Sequence, residues 1–152
     1  MKTPIEIQYP RSLLLENVVS VRVDASDELS IQKAATNLTR FIRSSGARSR
    51  GPLLQRSDLS HPDDRTVMKS ELLRQASEPL DANGVFDFHS RLEISSCVMA
   101  SFHGRAADLS IVYSKLAVFS YERDVTLSGV FYVVHVADEG PVVSADIFAV
   151  TE

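Results

Sequence analysis

Val19, Val21 and Val23 alternate with Ser20 and Arg22, the two-residue period of a strand with one buried face, and the pattern predicts a strand from Leu13 to Val23. The period then changes. Leu29, Ile31, Ala34, Ala35, Leu38, Phe41 and Ile42 recur at helical spacing and predict a helix from Asp27 to Ser44. Ser26, Asp27 and Glu28 supply its cap and first-turn charge, and Gly46 ends it. Gly51-Pro52 turns the chain into a strand over Leu53 to Ser57, and the turn cluster His61-Pro62-Asp63-Asp64 precedes another from Thr66 to Gln75. After Ser77 to Gly84, strand-like patterns cover Val85 to Leu92 and Ser95 to Phe102. A second helix is predicted from Ala107 to Tyr121, with Leu109, Val112, Leu116 and Phe119 on one face. Gly129 opens a strand from Val130 to Val136, and a hairpin turn at Glu139-Gly140 leads to the last, Val142 to Val150.

This order repeats. Leu29-Ser30-Ile31, Gly51 and Glu71 find counterparts in Leu109-Ser110-Ile111, Gly129 and Asp146, at offsets of 80, 78 and 75 residues, a drift that loop deletions produce. The fold class expected is α+β, a single domain over 1–152 built from duplicated β-α-β-β repeats with antiparallel sheet and one main helix each. Repeat one would span 13–76, the linker 77–84 and repeat two 85–150. Two such modules facing each other would leave a cleft between them as the default ligand site. Ile111 and Val118 lie off the apolar stripe of the second helix, so that helix is expected to pack against a second partner, and a homodimer is the simplest one.

The 152 residues with 44% apolar content suit one compact domain that buries roughly 70% of its unfolded surface. No apolar run approaches the ~20 residues of a membrane helix, and no signal peptide is legible at the N-terminus. The single cysteine, Cys97, excludes an internal disulfide and fits a reducing cytoplasm. A net charge of −4 argues against a nucleic-acid binder. The charge is uneven: residues 1–76 carry 12 Lys and Arg against 9 Asp and Glu, a net +3, while residues 77–152 carry 4 against 11, a net −7. Arg40, Arg43, Arg48, Arg50 and Arg56 form a basic run from the end of the first helix onward. They complement the helix dipole or meet an acidic protein partner.

Catalytic signatures are sparse. Gly46 and Gly51 have the glycine spacing of a phosphate loop, but Pro52-Leu53 stands where Lys-Ser/Thr is required. No Gly-x-Ser-x-Gly elbow is present. His61, His89, His103 and His135 show no i,i+4 pair; a zinc site of Cys97, His89 and His103 would need a hairpin between them, and no metal or other cofactor is expected. What remains is the pair Glu71 and Asp146 at matching places in the repeats. Asp146 shares its strand face with Val142, Phe148 and Val150, an unusual setting for a carboxylate that nothing satisfies. The two could hold a cationic ligand or act as acid and base, or each could point to solvent or pair with Arg74 or Arg65. Tyr113, Tyr121, Tyr132, Phe86, Phe88 and Phe131 are candidate aromatic walls, or plain core.

The β-α-β-β duplication, Gly51-Pro52 after the first helix and an acid on each repeat's last strand resemble the gyrase-inhibitor-like effector-binding domains, related to the SOUL haem-binding fold. Glu16-Asn17-Val18-Val19-Ser20, Gly51-Pro52-Leu53, Phe88-His89-Ser90 and Val130-Phe131-Tyr132-Val133-Val134-His135 bring a closer likeness, to a small family of Gram-positive bacteria associated with operons of LXG-type secreted toxins. The first resemblance implies a stand-alone receptor for hydrophobic, often cationic, small molecules anchored by a cleft acid, here Glu71 and by symmetry Asp146; some relatives are hydrolases of strained electrophiles. The absence of tryptophan departs from stacking-type multidrug binders. The second implies a protein partner and no catalysis. The chain is therefore expected to be a non-catalytic cytoplasmic binding protein, with Glu71, Asp146, Tyr113 and Tyr132 as its ligand contacts. Partnership with a toxin through the five arginines is the first alternative, and hydrolysis the second. No helix-turn-helix precedes the repeats, so no direct contact with nucleic acid is expected.

Overall fold

The computed structural model describes residues 5–24, 26–60, 67–81, 84–139 and 141–152. In chain order these form β1 (Glu6–Val23), α1 (Glu28–Ser44), β2 (Ser49–Ser60), β3 (Val67–Ala76), β4 (Phe86–Arg105), a 3-10 turn at Ala106–Asp108, α2 (Leu109–Glu122), β5 (Leu127–Glu139) and β6 (Val142–Thr151). The class is α+β, with antiparallel pairing throughout the registers described below. Two compact units are distinct, Leu14–Glu93, and Ile94–Glu152 with the described residues up to Leu13. The chain passes from one to the other within β1 and again within β4.

In the unit Leu14–Glu93, β3 pairs with β1 on one side and β2 on the other. Val19 and Val21 of β1 with Leu72 and Ala76 of β3 turn to one face and bury Leu38 and Ile42 of α1. Phe41 stacks on Phe86 at 4.4 Å in the same core. The helix ends are set locally. Asp27 caps α1 by accepting from the Leu29 amide at 3.1 Å and the Ser30 hydroxyl at 2.7 Å, and those bonds, that from Ser30 foremost, hold its carboxyl below the usual aspartate value. At the other end Gly46 takes φ +89° while its amide reaches Arg43 O and that of Ala47 reaches Ile42 O, the paired bonds of a Schellman stop.

In the other unit, β6 pairs with β4 on one side and β5 on the other. Val98, Ala100, Ile147, Ala149 and Val133 form the sheet face that receives Val112 and Leu116 of α2. This helix stops in the same way, with Asp124 at φ +57° in the place a glycine would favour and the Val125 amide bonded to Ser120 O at 2.9 Å. Its outer side carries Ile111, Val118 and Tyr121, exposed by 38%, 56% and 89%.

Several boundaries differ from the sequence reading: β2 and β5 extend further at both ends than expected, and three other differences have a local cause. β1 begins at Glu6 rather than Leu13, because Pro10, Arg11 and Ser12 break the apolar alternation and stand exposed. β4 is one strand where two are predicted. Its 20 residues far exceed the usual five or six, which favours a division, yet Phe86, Phe88, Leu92, Ile94, Val98, Ala100 and Phe102 keep one parity with no glycine or proline between Phe86 and Phe102 to interrupt them. The second helix begins at Leu109, the residues before it forming the 3-10 turn. The expected turn His61-Pro62-Asp63-Asp64 and the Gly140 of the hairpin lie outside the described residues.

The second strand of each unit carries a glycine with positive φ at a break in register: Gly51 at +71° between Arg50 and Leu54, Gly129 at +93° between Leu127 and Phe131. A Cβ on Gly51 would meet Gln75 Nε2 at 3.3 Å, and Gln75 Oε1 accepts from the Glu16 amide at 3.0 Å. A Cβ on Gly46 meets nothing within 4 Å. Gly46→Ala is therefore expected to cost the left-handed backbone penalty alone, about 1 kcal/mol. Gly51→Ala should cost clearly more, since it also displaces the Gln75 amide. Urea unfolding of the two variants checks the order.

Candidate functional site

Strand parity sends alternate residues to opposite faces, so the positions between those that pack on the helices form a second face in each unit. In the unit holding β6, that face carries Asp146. Across from it in register stand Ser101 on β4 and Val134 on β5, and one step along lie Met99, Phe148 and Tyr132. Cys97, Met99, Tyr132 and Phe148 are buried, while Asp146 and Ser101 are partly so. The Ser101 hydroxyl donates to Asp146 Oδ1 at 2.9 Å. Among the described residues no cation forms an ion pair with Asp146. Among the described residues this carboxylate thus has the Ser101 hydroxyl as a donor and no ion-pair partner, on a face it shares with Met99, Phe148 and Tyr132.

Glu71 occupies a different environment in the unit Leu14–Glu93. On β3, on the face turned from α1, it has Arg22 across from it on β1 and Arg56 on β2. Arg56 Nη1 lies 3.9 Å from Glu71 Oε1, and Arg56 Nη2 lies 3.6 Å from Asp58. Two residues along β1 on the same face, Ser20 is 1% exposed and its hydroxyl has no hydrogen-bond partner among the described residues.

The other candidates are dispersed. Of the aromatic candidates named above, Tyr132 shares the face of Asp146. Tyr113 packs edge-on against Phe131, ring centres 5.1 Å apart, in the core beneath α2, on the opposite side of that sheet. Phe86 and Phe88 belong to the core beneath α1, and Tyr121 is fully at the surface. Arg40, Arg43, Arg48 and Arg50 are exposed, whereas Arg56 is turned to the opposite face with Glu71. Arg74 does not pair with Glu71, because three positions on one strand place them on opposite faces; it donates instead to Thr39 Oγ1 at 3.2 Å. Arg65 and His61 lie outside the described residues.

The zinc arrangement of Cys97, His89 and His103 is overturned by the continuity of β4. Without a hairpin, Cys97 and His103 are six residues apart on one strand, about 20 Å. His103 instead hydrogen-bonds Ser144 at 2.6 Å. Among the described residues no group of three or more His, Cys, Asp or Glu comes close enough to hold a metal ion, and no helix is long and apolar enough to cross a membrane. Sequence reasoning missed Ser101 and Met99. Their only signal is the β4–β6 register, which local pattern does not carry.

No family model matches the chain, and no curated protein matches its sequence. Solved structures do. The chain is similar to EcmrR in an EcmrR–DNA complex, at 15% identity and a TM-score of 0.70, covering 98% of this chain but 57% of that one. It matches the isolated EcmrR C-terminal domain at 13% identity and 0.66, covering 98% and 97%. A Listeria innocua protein described as a hydrolase matches at 13% identity and 0.63, covering 99% of this chain and 93% of that one. These neighbours have the gyrase-inhibitor-like fold, and at such identities the likeness is one of fold.

Burial pushes the Cys97 thiol up, and the thiolate is its reactive form. Alkylation by iodoacetamide near neutral pH should therefore be slow in native buffer and rapid in concentrated guanidinium chloride, as mass spectrometry of the quenched protein will show. Equal rates would contradict the burial.

Proposed function

We propose that the chain is a non-catalytic binding protein for a small apolar molecule bearing positive charge, with Asp146 as the polar anchor. The observation that carries this reading is a partly buried carboxylate beside Met99, Tyr132 and Phe148 that has no ion-pair partner among the described residues. A cation there gains a charge-assisted contact. Glu71 is a second anchor of lesser strength, since a ligand reaching it competes with Arg56. The fold shared with the EcmrR C-terminal domain supports a ligand-binding role. The DNA contact of EcmrR is not carried over, because this chain spans little more than half of the DNA-bound protein.

The duplication is part of this reading. Each unit has the order strand, helix, strand, strand, with the last strand central in its sheet and a positive-φ glycine in the second. Glu71 and Asp146 then occupy equivalent central-strand positions with different neighbours, Arg22 and Arg56 for one, Ser101 and Val134 for the other. The repeats proposed are 13–76 and 85–150, joined by 77–84. The hydrolase alternative draws on the Listeria innocua neighbour and demands turnover with a bell-shaped pH profile from the two acids.

The expected outcome with a fluorescent rhodamine cation is saturable binding that Asp146→Asn weakens by about tenfold or more, the worth of a contact of 1.5–3 kcal/mol. Glu71→Gln should weaken it less. Fluorescence anisotropy measures both, and affinity unchanged in Asp146→Asn removes the anchor.

A protein partner, such as an LXG-type secreted toxin, is the second reading. It is favoured by the exposed Arg40, Arg43, Arg48 and Arg50, none of which has an ion-pair partner among the described residues. Self-association through the exposed Ile111, Val118 and Tyr121 of α2 belongs with it, the opposite charges of the two halves of the chain favouring a second copy. Sedimentation of the chain alone reads the homodimer; a monomer at tens of micromolar, about the range where weak interfaces fill, rejects it. Pull-down of a toxin encoded beside the gene reads the other, with Arg43→Glu/Arg48→Glu expected to abolish capture.

A further inference from the structure

Arg74 is out of place by the rule that orders the rest of its strand. It stands across from Val19 with the helix-facing parity of Leu72 and Ala76, where its neighbours on the sheet are apolar. Its guanidinium reaches α1, donating from Nη1 to Thr39 Oγ1 at 3.2 Å. Thr39 spends its own proton on Ala35 O at 3.1 Å, so its oxygen is committed as an acceptor and fixes the arginine. Arg74 Nε is buried and has no hydrogen-bond partner among the described residues.

Two more arginines converge on the same place. Thr36, Thr39, Arg40 and Arg43 recur at i, i+3, i+4 and i+7, one stripe of α1. Together with Ala35 and Arg74 they line a cavity of about 400 Å³ that no carboxylate of the described residues lines. Among the described residues none of the three arginines has an ion-pair partner. The dipole at the end of α1 accounts for Arg43, which lies in its last turn, but not for Arg74 on the sheet. Three like charges around one cavity repel, and a guest of opposite charge relieves that cost.

We propose that this cavity is an oxyanion site for a phosphoryl group. Guanidinium forks from three arginines match an anion that offers several oxygens, and Arg74 is held ready by Thr39. The volume lies in the range of small-molecule pockets, so an organic substituent on the phosphate has room. The site lies wholly in the unit Leu14–Glu93 and is independent of the anchor at Asp146.

Isothermal titration calorimetry of the full chain at low salt tests it with two probes, inorganic phosphate and a hexose phosphate monoester. Saturable binding is expected, tighter for the ester; equal affinities would assign the site to the free ion. Arg43→Met, at an exposed position, should lower affinity several-fold. Arg74→Met should lower it tenfold or more, and Arg74→Lys, which keeps the charge but not the fork, should fall between. Circular dichroism confirms that each variant folds. Absence of binding by both probes, or affinities equal in wild type and Arg43→Met, would overturn the proposal even if Arg74→Met failed to fold.

Discussion

Burial of one helix stripe against one face of paired antiparallel strands is the constraint on which the rest of each unit depends. Leu38 and Ile42 on Val19, Val21 and Leu72, and Val112 and Leu116 on Val98, Ile147 and Ala149, fix which parity of each strand points to the helix. A shift of one residue would exchange every side chain between faces, so the register has no freedom once the helix is seated. The position of each polar group follows. Glu71 and Asp146 must turn away from the helices, and Arg74, with the parity of Leu72, must turn toward one.

The two acids show how different cross-strand neighbours lead to different chemistry. Both sit on the central strand of their sheet, where a side chain has cross-strand neighbours on each side. At Glu71 these are arginines, and the Arg56 contact at 3.9 Å neutralises the carboxylate within the unit. At Asp146 they are Ser101 and Val134, and a hydroxyl supplies one hydrogen bond but no charge. A partly buried carboxylate left in that state keeps a desolvation cost that a bound cation would offset. The difference lies in the neighbouring strands rather than in the acids.

Much of this was legible in the pattern, and the losses have physical causes. The first helix is read to within a residue because its stripe is strongly one-sided and Asp27 and Gly46 mark its ends. The run Val130-Phe131-Tyr132-Val133-Val134 is apolar at both parities, so a strand is evident but its helix-facing side is not. Nothing in that run separates Tyr132 from Phe131, which belongs to the other face, and nothing local separates Tyr132 from Tyr113, which α2 carries into the core. Met99 and Ser101 meet Asp146 through a pairing 45 or more residues distant in sequence, and local periodicity says nothing of register at that range.

Arg74 shows the same limit from the other direction. Read along β3, it is one polar residue beside Leu72 and Leu73, and a salt bridge to the nearby Glu71 is the natural inference. Three positions on one strand make opposite faces, so proximity in sequence works against that pair. Thr39, 35 residues away, is the group it meets, because α1 lies across β3 on the side that Arg74 faces. The helix also brings Arg40 and Arg43 to the same cavity, a concentration of positive charge that the linear basic run from Arg40 to Arg56 does not foretell. Arg56 leaves that group for the acid on the opposite face, and Arg74 joins it from a segment with no basic pattern of its own. Charge along a chain becomes charge on a surface only through strand parity and helix placement, and here those two send Arg56 to an acid and Arg40, Arg43 and Arg74 to one cavity.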